Sequence, residues 1–118
     1  MSPEDRLQVS VVQWLKLALP ADALFYAVPN GGSRNPIEGA KLKAMGTLPG
    51  VSDLNIECNG RTYHIELKTA SGRQSPAQKA FESSVHKAGN LYQLCRSLDE
   101  VEGALLGWGF RLSARCAA

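Results

Sequence analysis

Hydrophobic and polar positions change period several times along the 118 residues. From Ser2 to Leu19 the apolar residues Leu7, Val11, Trp14, Leu15 and Ala18 recur at helical spacing, which predicts an amphipathic helix. Ser2 is placed to cap it, Pro3 suits its first turn, Asp5 completes a capping-box pattern and Pro20 stops it. Residues 23–28 (ALFYAV) read as a strand, 29–35 (PNGGSRN) as a loop of turn formers, and 36–45 as a short helix opened by Pro36 and ended by Gly46. Then the period falls to two. Leu54, Ile56 and Cys58 alternate with polar residues before Asn59-Gly60, and Tyr63, Ile65 and Leu67 alternate after it. Asn-Gly accommodates the positive φ that both positions of a tight hairpin turn require, so the segment predicts two antiparallel strands joined by two residues. Ser75 and Pro76 open a helix running to His86 or Lys87, with Gly89 beyond it. Residues 91–95 read as a strand, and Ser97 caps a helix over 98–106 that Gly107 ends. Residues 108–112 predict a short edge strand, after which the chain frays. The order helix, strand, helix, hairpin, helix, strand, helix predicts an α/β fold with a mixed central sheet flanked by helices.

The hairpin register brings in chemistry. With a two-residue loop, Cys58 faces Arg61, Ile56 faces Tyr63 and Asp53 faces Glu66, and directly opposed residues have Cβ atoms roughly 4.5–5.5 Å apart. Two carboxylates that close repel unless a proton or a cation lies between them. Hard oxygen ligands at this spacing suit Mg²⁺ or Mn²⁺. Lys68 shares the face of Glu66, where two carboxylates favour its charged form, so an electrostatic role suits it better than that of a general base. Taken alone, Glu66-x-Lys68 reads better as a pair of surface charges on a solvated face; the opposed Asp53 weakens that reading, and a three-residue turn with a bulge would break the Asp53–Glu66 pairing. His64 lies on the same face and reads as structural; His86 suits the end of its helix.

Composition narrows the class. The length predicts one domain over 1–118, and 44% hydrophobic with 20% charged residues is the make-up of a globular protein. A net charge of +2 is too small to establish a polyanion partner. Residues 34–87 nonetheless carry eight Lys/Arg against five Asp/Glu, a mildly basic middle compatible with phosphate contacts. Cys58, Cys95 and Cys116 form no C-x-x-C; the first two fall in apolar strand patterns and read as small core residues. A reducing, cytoplasmic compartment is the simplest reading. No apolar run is long enough for a transmembrane helix, and the N-terminus lacks the pattern of a secretory signal.

Taken in order, several segments resemble the virus-type replication-repair nuclease (VRR-NUC) family of the PD-(D/E)xK nuclease superfamily. They are Glu4 with Gln8, VPNGGSR at 28–34, KLKAMGTLPGVSDL at 41–54, IELK at 65–68 and SPAQ at 75–78. One departure stands out: the family's Pro-Asp dipeptide is Ser52-Asp53 here. Proline is not a ligand, so a changed turn is expected rather than lost chemistry. The resemblance implies a restriction-endonuclease-like core and a metal-dependent DNA endonuclease. Asp53 and Glu66 would hold Mg²⁺ or Mn²⁺, the backbone carbonyl of Leu67 would be a further ligand, and Lys68 would serve the chemistry. Glu4 would support the metal site, although an acid in a helix's first turn is equally explained by the helix dipole. Gln78 would be a site residue bonded to substrate, water or a ligand carboxylate; otherwise it is plain helix surface. Arg34, Lys41, Lys43 and Arg73 are candidate DNA contacts, and each is also an ordinary solvated charge. The resemblance further implies a homodimer acting on branched DNA such as Holliday junctions. Alternatives are a flap or restriction-type nuclease, or a non-catalytic nucleic-acid-binding module on the same fold.

Overall fold

The computed structural model describes residues 1–29 and 35–116. Helix α1 (Pro3–Ala18) begins at Ser2, whose hydroxyl accepts the Asp5 N–H while the Asp5 carboxylate accepts the Ser2 N–H. Strand β1 (Leu24–Ala27) and helix α2 (Pro36–Ala44) follow. The Asn35 side chain caps α2, and none of the residues of α2 is buried. Strands β2 (Leu54–Cys58) and β3 (Arg61–Leu67) form the hairpin, with Asn59 and Gly60 both at positive φ as the two-residue turn requires. Helix α3 (Pro76–Lys87), strand β4 (Leu91–Cys95) and helix α4 (Leu98–Gly107) complete the order.

The strands make one mixed sheet in the order β1-β2-β3-β4. The first three are antiparallel, and β4 runs parallel to β3 after the crossover through α3. One face of the hairpin carries Leu54, Ile56, Tyr63, Ile65 and Leu67, which pack with Val11, Leu15 and Ala18 of α1 and with Val101 and Leu105 of α4. Leu15, Leu54, Ile56, Ile65, Leu67 and Leu105 are fully buried; each contributes roughly 1.5–3 kcal/mol of apolar burial. The other face is covered by α3, whose Phe81 sets its ring edge against His64 at a centroid distance of 5.3 Å.

One expectation needs correction. Residues 108–112 add no strand. Trp108 and Phe110 instead pack their rings on Tyr63, and the Ser113 N–H bonds to the Ala18 carbonyl, so this segment is laid over α1 and the hairpin. On the polar face of the hairpin Asn55, His64 and Glu66 are buried, which removes the reading of Glu66 as a surface charge, while Glu57 on the same face is exposed. Cys58 and Cys95 are buried free thiols, as their apolar settings implied. No helix among the described residues is long and apolar enough to cross a membrane.

Candidate active site

The site is built where β2 and β3 begin and end side by side. Their pairing runs from Cys58↔Arg61 to Leu54↔Ile65, and one further step sets Asp53 against Glu66. The Asp53 carboxylate extends the ladder in place of a backbone acceptor: its Oδ2 accepts the Leu67 N–H at 2.7 Å. That bond fixes the aspartate against the end of β3.

Gly50 determines what lies above. It sits at φ +81°, and a Cβ there would fall 2.3 Å from the Ala77 carbonyl oxygen and 2.7 Å from the Gln78 nitrogen. Only glycine lets the turn before β2 approach the first turn of α3 this closely. Gln78 is thereby brought over the sheet. Its Oε1 accepts the Ser75 N–H at 2.8 Å in a capping box, and its Nε2 donates to Glu66 Oε2 at 2.9 Å. The reversed amide would set donor against donor and acceptor against acceptor, so both ends of the side chain are committed.

Glu66 is 1% exposed, and its Oε1 has no hydrogen-bond partner. Burial first, then the charge of Asp53, push its pKa upward; Lys68 pulls the other way and Glu4 adds a further upward push. Lys68 Nζ lies 3.8 Å from Glu66 Oε2 with its side chain 13% exposed. A buried carboxylate with an unfilled oxygen costs several kcal/mol unless a proton or cation completes it. The donor set therefore fits a hard divalent cation held by Asp53 and Glu66. Among the described residues no group of three or more His, Cys, Asp and Glu is arranged to hold a metal. Glu4 acts on Glu66 through its charge, from the wall of the same cleft.

That cleft, about 670 Å³, is lined by Glu4, Asp53, Glu66, Gln78, Lys43 and an apolar wall that includes Leu42, Leu48 and Val51. The structure thus brings together Glu4, Asp53, Glu66, Gln78 and Lys43, with Lys68 paired to Glu66. Lys41 and Arg73 are exposed but do not line the cleft. Arg34 lies outside the described residues.

Sequence reasoning placed His64 on this face as structural and noted Ser52, but missed the bonds that join Ser52, Asn55 and His64. Ser52 is fully buried, donates to Asn55 Oδ1 at 2.8 Å and lies 3.0 Å from His64 Nδ1. With its proton committed to Asn55, the hydroxyl accepts from His64, so Nδ1 carries the ring proton. Burial lowers the pKa of His64, which favours the neutral ring. This trio fixes the turn around Asp53. The signal available in sequence was the serine at 52, where the family's pattern has proline.

Compared with known proteins, the chain matches no family model and no curated protein. Among solved structures, one named "VRR_NUC domain protein" superposes with a TM-score of 0.75 at 25% identity, over 92% of this chain and 89% of that one. A second, named "VRR_NUC domain", gives a TM-score of 0.58 at 17% identity over 91% of this chain and 97% of that one, a likeness of fold.

Proposed function

We propose that this chain, which has the fold of a VRR_NUC nuclease domain, is a metal-dependent endonuclease hydrolysing phosphodiester bonds in DNA. The observation that carries this reading is the buried Glu66 carboxylate, one oxygen of which lacks a partner, set against Asp53 with Lys68 at 3.8 Å. Such a pair is unfavourable in itself and is made favourable by a cation.

Asp53, Glu66 and the backbone carbonyl of Leu67 would hold Mg²⁺ or Mn²⁺. When bound, the ion supplies positive charge that neutralises the phosphate during hydrolysis. The chain's own residues do the rest. Gln78 holds Glu66 Oε2, so the carboxylate is oriented before substrate arrives. Lys68 places a fixed positive charge where negative charge builds up on the phosphate. Lys43 lies on the wall of the same cleft, positioned for a backbone phosphate entering it. Lys41, Arg73 and Arg34 would supply further backbone contacts.

The finer reading is selectivity for branched DNA such as Holliday junctions by a homodimer. One chain supplies one set of Asp53, Glu66 and Lys68, and resolving a four-way junction takes two cuts related by symmetry, which a two-fold dimer provides. The test is a cleavage panel of single strand, duplex, flap, fork and four-way junction with Mg²⁺, Mn²⁺ or EDTA. Cleavage is expected with either metal and none in EDTA; full activity in EDTA refutes the metal site. Light scattering over a dilution series is expected to report a dimer, and mapped cuts should fall symmetrically on opposed strands. A monomer cutting one arm removes the junction reading while leaving the nuclease.

A further inference from the structure

Lys68 follows the last residue of β3 and still bonds to the sheet: its N–H donates to the Cys95 carbonyl at 3.1 Å. Beyond it, residues 69–75 cross to α3 without a strand partner. A lysine at such a position loses about 1.5–2 kcal/mol of rotamer freedom when its ammonium is held in one place, so something must restrain either the stem or its surroundings. The next residue after β4 supplies the restraint. Arg96 Nη1 donates to the Thr69 carbonyl at 2.8 Å and to the Gly72 carbonyl at 2.7 Å, with a longer approach to the Ala70 carbonyl at 3.4 Å. The Gly72 N–H closes the same turn onto the Thr69 carbonyl at 3.0 Å. The folded turn then lies along the lysine. A Cβ added at Gly72 would come within 3.3 Å of Lys68 Cδ and 3.4 Å of Lys68 Cβ. Gly72 therefore forms a wall against the aliphatic stem whose ammonium is directed at Glu66.

We propose that Arg96 is a positioning residue for Lys68: it ties the loop after β3 into a turn that holds the lysine stem in place. The inference rests on the nuclease reading for what Lys68 then does. Arg96 makes no bond to either carboxylate, and its Nη1 is bonded to carbonyls of the loop. All three contacts are made by one nitrogen, Nη1; a lysine at 96 keeps a charged donor but carries it on a stem of different reach and geometry, so it only partly replaces the arginine.

The test is a double-mutant cycle on the best-cut substrate of the panel, with single-turnover rates for wild type, Arg96→Gln, Lys68→Ala and the double variant. Arg96→Gln is expected to lower the rate between about tenfold and a hundredfold, the loss associated with small misplacement of a reacting group. Calorimetric Mn²⁺ binding should be unchanged. In the Lys68→Ala background the same substitution should cost less than about twofold, because coupled residues do not add. A wild-type rate in Arg96→Gln, or an equal loss in both backgrounds, overturns the proposal.

A second readout does not depend on activity. With lysines ¹³C-dimethylated, the Lys68 resonance, assigned by its loss in Lys68→Ala, is expected to move towards that of a free lysine in Arg96→Gln. It should also shift in Gly72→Ala, which presses on the stem with Arg96 intact. Should Arg96→Gln fail to fold, Arg96→Lys takes its place in both measurements. An unmoved Lys68 resonance overturns the strap, whereas a wild type that cuts nothing refutes the nuclease reading and leaves the resonance arm standing.

Discussion

Glu66→Gln keeps the side chain's shape and an acceptor for Gln78 while removing a charge that the fold buries. Burial and the neighbouring Asp53 push the Glu66 pKa from an ordinary 4.5 up to about 8 in the metal-free protein. Between those values the folded chain holds a proton that the unfolded chain has lost, so stability falls as pH rises through the window. His64 runs the other way: burial lowers its pKa below 6.5, so its contribution grows as pH rises towards 6.5 and is then complete. The two effects separate, and from pH 6.5 to pH 8 Glu66 dominates. At 1.36 kcal/mol per unit, the wild type should lose on the order of 1–2 kcal/mol across that range. For a chain of this size that is a fall on the order of 5 °C in Tm. Thermal melts followed by circular dichroism in EDTA would read it. The Gln variant should show a flat Tm over the same range and should melt above wild type at the alkaline end. Adding Mn²⁺ there should raise the wild-type Tm and leave that of the variant unchanged. A Gln variant whose Tm falls as steeply as that of wild type would refute the claim that Glu66 is the strained acid.

Asp53→Asn keeps an oxygen for the Leu67 N–H and should fold normally, yet lose calorimetric Mn²⁺ binding and nearly all turnover; retained binding would remove Asp53 from the ligand set. Lys68→Ala should bind Mn²⁺ as wild type does and cut at least about a hundredfold more slowly in single turnover, the size associated with losing one preorganised charge stabiliser. Gly50→Ala forces a side chain into a left-handed position and onto the backbone of Ala77, so denaturant melts should show a loss of about 3 kcal/mol or more; a neutral effect would mean that the turn need not touch α3.

The hairpin was legible because two independent signals agreed. Asn59-Gly60 specified the turn, and the period-two pattern specified which side chains share a face, so the opposition of Asp53 and Glu66 followed by counting. The caps of α1 and α3 were legible for a similar reason, since Ser2 with Asp5 and Ser75 before Pro76 are local patterns, although the share of Gln78 in the second cap was not read. The capping role falling to Asp5 also leaves Glu4 free to face the cleft. What could not be read was long-range. Alternation marks one polar face but not whether a later helix will cover it, and α3 arrives from sequence beyond the hairpin. The alternating Trp108, Phe110 and Leu112 have the period of a strand, yet the same spacing serves an extended segment resting on Tyr63. Strand β1 is the opposite case: it is largely exposed and owes its form to pairing with β2. Arg96 gave no signal because its partners are backbone carbonyls, which any sequence provides.

The polar groups under α3 divide by how their bonding is completed. Ser52, Asn55 and His64 satisfy one another: the hydroxyl gives its proton to Asn55 and accepts one from His64. Polar groups linked in this way can be buried at modest cost. Proline at 52, the residue of the family's pattern, would remove the hydroxyl and strand both partners, so here the serine and the buried histidine belong together. Glu66 lies two residues further along the same face and is incomplete: Gln78 occupies one oxygen, and the other has no partner. Because the linked trio holds the turn that carries Asp53, the open valence of Glu66 cannot be relieved by letting Asp53 swing away. Relief must come from a proton or a cation, and the same rigidity that makes the empty pair costly keeps it in place to receive an ion.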